Sequence, residues 1–250
     1  MQQNNTRKVA LITGSGKRRV GNVVAAALAQ RGYSIALHYN KSAEEAEESV
    51  EELRRGGTDA EAYEADVSEE ADVEWMFEQL VERFGRLDVL VTAAAIFSPT
   101  TLEDVRAEDV RRQFEVNTLG TFLCCRRAGL IMAGQPEGGS IVTIGDWATQ
   151  RPYPNYSAYF VGKGAVATLT RTLAVELARR NPEVRVNCIL PGPVMLPEDM
   201  QSEETKVAVA GTLVKRVGKP ENVARAVISL IENDFVTGVC LPVDGGRTLG

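Results

Sequence analysis

Short runs of Val, Ile, Leu and Ala alternate with longer stretches of helical period along almost the whole chain. Strands are predicted at 9–13, 34–39, 60–65, 88–92, 140–144, 184–190 and 239–243. Helices are predicted between them at 21–31, 42–55, 69–84, 107–132, 157–180 and 221–232. Apolar strands separated by helices of this length mean a parallel sheet covered on both faces. Right-handed crossovers then give an α/β fold with a doubly wound parallel sheet. There is no internal repeat and no linker, so the 250 residues are expected to form one domain, 1–250. Only 191–218 breaks the alternation, with Pro191, Pro193, Pro197 and a helix-compatible stretch at 203–210. Leaving the carboxyl edge of the sheet after strand six, 195–217 is expected as a substrate lid, with a poorly ordered insert as the other reading.

The single histidine, His38, removes whole classes of chemistry. A two-histidine zinc site is impossible, and a Ser-His-Asp hydrolase would have to draw its base from this one residue. The four cysteines, Cys124, Cys125, Cys188 and Cys240, form no CxxC pair and read as inert core thiols. With 28 basic against 34 acidic residues the net charge is −6, which disfavours a general nucleic-acid binder. No apolar run approaches the roughly 18 residues of a membrane span. The start, Met1-Gln2-Gln3-Asn4-Asn5-Thr6, carries no apolar signal-peptide core. A cytoplasmic chain acting on a small molecule, without metal, membrane or nucleic acid, is the expectation.

After strand one comes Thr13-Gly14-Ser15-Gly16-Lys17-Arg18-Arg19-Val20-Gly21, then a helix of small residues. Glycines at such a bend let backbone approach a pyrophosphate, and the helix amino terminus favours its charge. Dinucleotide folds usually place an acid at the end of strand two for the adenosine ribose. Here that strand ends His38-Tyr39-Asn40-Lys41-Ser42, with no acid before Glu44. Lys41, Ser42 and Arg19 suit a 2′-phosphate, which a carboxylate would repel, so NADPH is expected over NADH.

Tyr159 and Lys163 stand four positions apart near the start of a long helix, hence on one face. A free tyrosine titrates at about 10. An ammonium beside it favours the phenolate, lowers that pKa and makes proton exchange with a substrate workable.

Taken in order, these residues resemble the short-chain dehydrogenase/reductase family over nearly the whole chain. Thr13-Gly14 with Gly21, Asp66-Val67, Asn117, Tyr159 with Lys163, Asn187, Pro191-Gly192-Pro193 and Asp244-Gly245-Gly246 carry the likeness. The resemblance implies a Rossmann-type subunit, hydride transfer from a nicotinamide, and a homotetramer or homodimer. It implies Tyr159 as proton donor, Lys163 on the nicotinamide ribose, and Asn117 holding a water that continues the proton relay. Around the cofactor it places Gly14, Arg18, Arg19, Val20, Gly21, Asn40, Lys41, Ser42, Asp66, Val67, Ala94, Pro191, Gly192 and Val194, together with Tyr159 and Lys163. Asp66 and Val67 would flank the adenine.

Three departures carry information. The family's usual serine, 13 positions before the tyrosine, is Asp146; the glycine motif is Arg-rich and one residue longer; and Thr92-Ala93-Ala94-Ala95 replaces Asn-Asn-Ala-Gly. The first two are similar to the pteridine reductases and the short-chain dihydromonapterin or dihydrofolate reductases. That branch has TGxxxRxG, matched with Arg19 or, given the extra residue, Arg18 in the arginine's place. It has an Asp-Tyr-Lys set, matched by Asp146, Tyr159 and Lys163, and a segment like His38-Tyr39-Asn40-Lys41-Ser42. Phe97 falls where that branch stacks a pterin on an aromatic, and Ala95 where it usually offers a serine hydroxyl.

A serine can polarise a ketone oxygen, whereas an ionised aspartate would repel the developing alkoxide. Asp146 suits a substrate with N–H donors or a C=N bond. The alternative is that Asp146 caps a turn while Thr143 or Thr149 does the serine's work. Trp147, Tyr153, Tyr156, Tyr159 and Phe160 bunch and can wall a pocket for a flat heterocycle, or serve as core or subunit packing. The leading expectation is an NADPH-dependent reductase of a pterin or dihydrofolate-like C=N substrate, with Phe97, Asp146, Trp147 and Tyr159 facing it. A carbonyl reductase of the 3-oxoacyl, sugar or steroid type is the alternative. A non-catalytic NADPH sensor is the third reading, opposed by the intact Tyr159, Lys163 and Asn117.

Overall fold

The computed structural model describes residues 7–196 and 202–250, without the side chains of 202–204. The polar start at 1–6 and part of the expected lid, 197–201, lie outside the described residues. The strands are β1 (Val9–Thr13), β2 (Ser34–Tyr39), β3 (Ala60–Glu64), β4 (Val89–Thr92), β5 (Gly139–Ile144), β6 (Val184–Pro191) and β7 (Cys240–Val243). They form one sheet in the order β3-β2-β1-β4-β5-β6-β7, parallel at every pairing. The strand order reverses between β1 and β4. All carboxyl ends share one edge, and the crevice at such a reversal is where open α/β sheets bind ligands.

The helices are α1 (Val20–Ala29), α2 (Ala43–Arg55), α3 (Glu70–Phe84), α4 (Ala107–Phe114), α5 (Gly120–Ala133), α6 (Ser157–Ala178), α7 (Ser202–Ala210) and α8 (Pro220–Glu232). Alternate residues of β1 serve the two faces, as the two-residue period of a strand requires. Val9 and Leu11 pack with α3, α5 and α6; Ala10 and Ile12 pack with α1, α2 and α8. Leu11 and Ile12 are fully buried, each contributing about 1.5–3 kcal/mol of apolar burial. Among the described residues no helix is long and apolar enough to cross a membrane.

One helix departs from the sequence pattern. The expected continuous helix at 107–132 is α4 and α5 joined by a π-helical turn, Glu115–Leu119. The apolar period runs through this stretch, so the sequence signal does not register the single extra residue. α6 presses on this junction at Gly162, where a Cβ would lie 2.7 Å from the carbonyl oxygen of Gln113. The thiols also sort by place. Cys124 and Cys125 are buried in α5, whereas Cys188 and Cys240 are register partners on β6 and β7, with Cys240 half-buried.

Candidate active site

The glycine loop is built against the reversal between β1 and β4. Gly14 adopts φ 65°, and a Cβ there would lie 2.5 Å from the Cα of Ala94, so no larger residue fits this crossing. The Ala94 amide donates to Thr13 Oγ1 at 3.2 Å, and Gly21 packs against Gly14, Ser15 and Ala93. The Gly14 amide donates to His38 Nδ1 at 3.0 Å, and His38 Nε2 meets the Ala65 carbonyl at 3.0 Å. That pair of bonds requires the Nε2–H tautomer. Burial pushes the His38 pKa down to about 4, so the ring stays neutral and ties the loop to the ends of β2 and β3. Helix α1 begins at Val20 with Arg19 as its cap residue, no side-chain cap bond and no acid in its first turn. Its leading amides are therefore available to an anion.

Beyond β2, Ser42 abuts Gly16 and Lys41 is exposed. Arg18 is drawn to Glu52 on α2, which leaves Arg19, also exposed, as the arginine of this loop without an ion pair among the described residues. Asn40 bonds Asp66, which also accepts the Ser68 amide at 3.0 Å and hydroxyl at 2.5 Å. Burial raises the Asp66 carboxyl, but the Ser68 and Asn40 bonds and the Arg112 charge bring it below the usual range. A cavity of about 340 Å³ opens here, lined by Asn40, Glu64, Ala65, Asp66, Asp72 and Trp75. Val67 turns away from it into Gly120 of α5. At the far side Pro191 closes β6, Gly192 lies against Asp244, and Val194 is buried. The uncapped α1 amides and the Cβ-free crossing at Gly14 fit a dinucleotide.

The second half of the site lies at the ends of β4, β5 and the start of α6. Tyr159 OH donates to Asp146 Oδ2 at 2.7 Å, while Asp146 Oδ1 accepts the Ala148 amide at 2.8 Å. Asp146 therefore both caps the short turn Trp147–Thr149 and faces the tyrosine. Both threonine hydroxyls offered as substitutes for a serine are engaged elsewhere. Thr143 is buried and pairs with Thr170 at 2.8 Å, and the Thr149 hydroxyl donates to the Asp146 carbonyl at 2.8 Å.

Lys163 does not sit on the phenol as the helical spacing implied. Its Nζ donates to the Ile144 carbonyl at 2.8 Å. Burial lowers the Lys163 pKa, partly offset by Asp146. Burial first, then the charge and hydrogen bond of Asp146, raises the Tyr159 pKa instead of lowering it. The phenol here is a neutral acid. Burial also raises the Asp146 carboxyl, against the Ala148 and Tyr159 bonds and the Lys163 charge.

Asn117 has its side chain occupied rather than open to water. Its Oδ1 accepts the Ile96 amide at 3.0 Å, and its Nδ2 donates to the Ile96 carbonyl at 3.1 Å and to Gln113 Oε1 at 2.7 Å. This clamp fixes the segment that carries Phe97. The Phe97 ring stacks on Tyr156 at 4.4 Å and meets Tyr159 edge-on at 4.8 Å. Tyr153 links Tyr156 to Trp147, with ring centroids 5.2 and 6.4 Å away. Phe97, Asp146, Trp147, Tyr159 and Lys163 thus lie near one another. Sequence reasoning missed His38 as the anchor of the glycine loop, Trp75 beside Asp66, and Gln113 behind Asn117. Only His38 carried a signal, as the one histidine, at the end of β2.

Residues 15–248 match the sequence family described as enoyl-(acyl carrier protein) reductase. Tetrahydroxynaphthalene reductase of Pyricularia oryzae is 33% identical over 97% of this chain and 90% of its own. The 3-oxoacyl-(acyl-carrier-protein) reductase of Homo sapiens is 35% identical over 97% of this chain and 98% of its own. The crystal structure of acetoin dehydrogenase from Enterobacter cloacae superimposes with a TM-score of 0.87 at 33% identity, covering 98% of this chain and 97% of that one. With the matched span, the identities and the superposition in agreement, this chain belongs to the short-chain dehydrogenase/reductase family.

Proposed function

We propose that this oxidoreductase is an NADPH-dependent reductase of a carbonyl group on a planar, ring-bearing substrate. The observation that carries the reading is the 2.7 Å bond from Tyr159 to Asp146 beside the stacked pair Phe97 and Tyr156. The relatives favour carbonyl chemistry over the pterin branch, since their names refer to a 3-oxoacyl group and to a hydroxylated naphthalene. Gly14, Val20, Gly21 and the α1 amides would hold the pyrophosphate. Arg19, Lys41 and Ser42 would take the 2′-phosphate, Asn40 and Asp66 the adenosine side, and Ala94, Pro191, Gly192, Val194 and Lys163 the nicotinamide side. Bound NADPH supplies the hydride.

Tyr159 supplies the proton. Its hydroxyl, parked on Asp146, turns to the substrate oxygen, and the buried Lys163 ammonium offsets the negative charge left on the phenol. Burial raises the Asp146 carboxyl, and its Oδ2 accepts the Tyr159 hydroxyl, so that it holds the proton donor beside the substrate carbonyl. Phe97 and Tyr156 exclude water and stack a flat ring. The chain works as a homo-oligomer, for which exposed Phe114, Phe122, Val161 and Val175 on α4, α5 and α6 supply apolar surface to cover.

A second reading is supported by Asp146 itself: as a carboxylate it would accept an N–H of a pterin or dihydrofolate-like substrate and favour a C=N bond. Comparing kcat/KM for an aromatic ketone and a dihydropterin in the wild type and in Asp146→Ser separates the two. On the carbonyl reading the wild type prefers the ketone, NADPH outperforms NADH, and serine keeps ketone reduction within about tenfold. Preference for the dihydropterin, lost selectively in Asp146→Ser, would install the second reading instead.

A further inference from the structure

After β7 the chain turns through Asp244-Gly245-Gly246 into Arg247. The Asp244 carboxylate accepts the Gly246 amide at 2.9 Å, and the Thr248 amide and hydroxyl at 2.8 and 2.6 Å. Gly245 and Gly246 hold φ 64° and 78°, a path that favours glycine. This braced turn reaches the segment after β6 twice. The Gly245 carbonyl accepts the amides of Leu213 at 2.8 Å and Val214 at 3.3 Å. Arg247 Nη1 donates to the carbonyls of Ala208 at 2.8 Å and Val207 at 3.3 Å, in the last turn of α7. A cation on terminal helix carbonyls is favoured by both hydrogen bonding and the helix dipole. The same guanidinium lies over Trp147, 4.9 Å from the ring centroid, where a cation–π contact adds to the hold. Trp147 directly follows Asp146. At Gly211 a Cβ would fall on Arg247 Nη1, so glycine there leaves the arginine its place.

We propose that Arg247 is a positioning residue that fastens α7 to Trp147 and so sets the size of substrate the site admits. One side chain from the end of the chain joins the helix after β6 to the aromatic wall beside Asp146. The specificity consequence rests on the carbonyl-reductase reading; the fastening does not.

Two variants attack the contact from opposite sides. Arg247→Met keeps a long apolar stem near Trp147 and removes the charge and the donors. Gly211→Ala keeps the arginine and displaces its guanidinium. In both, trypsin cleavage after Lys206 of the apo protein should accelerate about tenfold, because α7 opens more often. KM for a bicyclic aromatic ketone should shift about fivefold or more while kcat and KM for a small acyclic ketone stay within about twofold. NADPH affinity should not change. Unchanged cleavage in both variants overturns the fastening. Equal losses on both ketones, in step with a lowered Tm, overturn the specificity role. If the wild type reduces neither ketone, the carbonyl reading fails while the cleavage rates still decide the fastening.

Discussion

Asp146 accepts hydrogen bonds from the Tyr159 phenol and the Ala148 amide, and burial holds its carboxyl above the usual range. A raised pKa means the folded protein binds that proton more tightly than the unfolded chain does. The associated stability is fully present below the unfolded pKa of about 4 and is lost as pH rises through the folded value. Asp146→Asn removes the titration and keeps an oxygen acceptor. The Tm of Asp146→Asn relative to wild type should therefore rise as pH increases from the unfolded pKa of about 4 through the raised folded value. A difference independent of pH would mean that Asp146 ionises freely in the fold. His38 titrates in both proteins, so its own acid sensitivity cancels in the comparison. The identity of Asp146 was legible from its spacing to Tyr159, but its double duty as cap and partner was not. Those two bonds come from a turn and a helix that only the fold brings together.

Helix α6 approaches the π-helical turn so closely because Gly162 faces Gln113 of α4. Gly162→Ala would place a methyl 2.7 Å from a backbone carbonyl, so it should cost about 1–3 kcal/mol in urea unfolding. Gly164, two positions on, has nothing within 4 Å of its Cβ position. There alanine should stabilise by about 0.5–1 kcal/mol through helix propensity. Equal effects at both positions would remove the packing argument. Element boundaries elsewhere followed the apolar period: β2 occupies Ser34–Tyr39 and β1 Val9–Thr13, as expected. The break between α4 and α5 was not legible, because hydrogen bonds decide it: Asn117 to Ile96 and Gln113, and Thr118 Oγ1 to the Gly162 carbonyl at 2.5 Å. Apolar periodicity does not encode those partners.

Across the whole molecule, the parallel sheet puts the glycine loop, the end of β2, Asp146 and the start of α6 along one edge. The glycine motif and the Tyr159-Lys163 spacing were readable because each is a pattern among residues close together in the chain. The roles of His38, Tyr156 and Arg247 depend on residues far away in the chain, His38 on Gly14 and Arg247 on Ala208 and Trp147. The Tyr159 pKa is likewise raised instead of lowered, because burial and then the charge and hydrogen bond of Asp146 act on it, while Lys163 donates to the Ile144 carbonyl. The proposed proton source is a neutral phenol next to a buried carboxyl, and the sharpest test is turnover of Tyr159→Phe. The ring that meets Phe97 is retained and only the hydroxyl is lost. In Tyr159→Phe, NADPH affinity should stay within about twofold of wild type while kcat for an aromatic ketone falls about 10²–10⁴-fold. Turnover within a few-fold of wild type, at unchanged NADPH affinity, would contradict it.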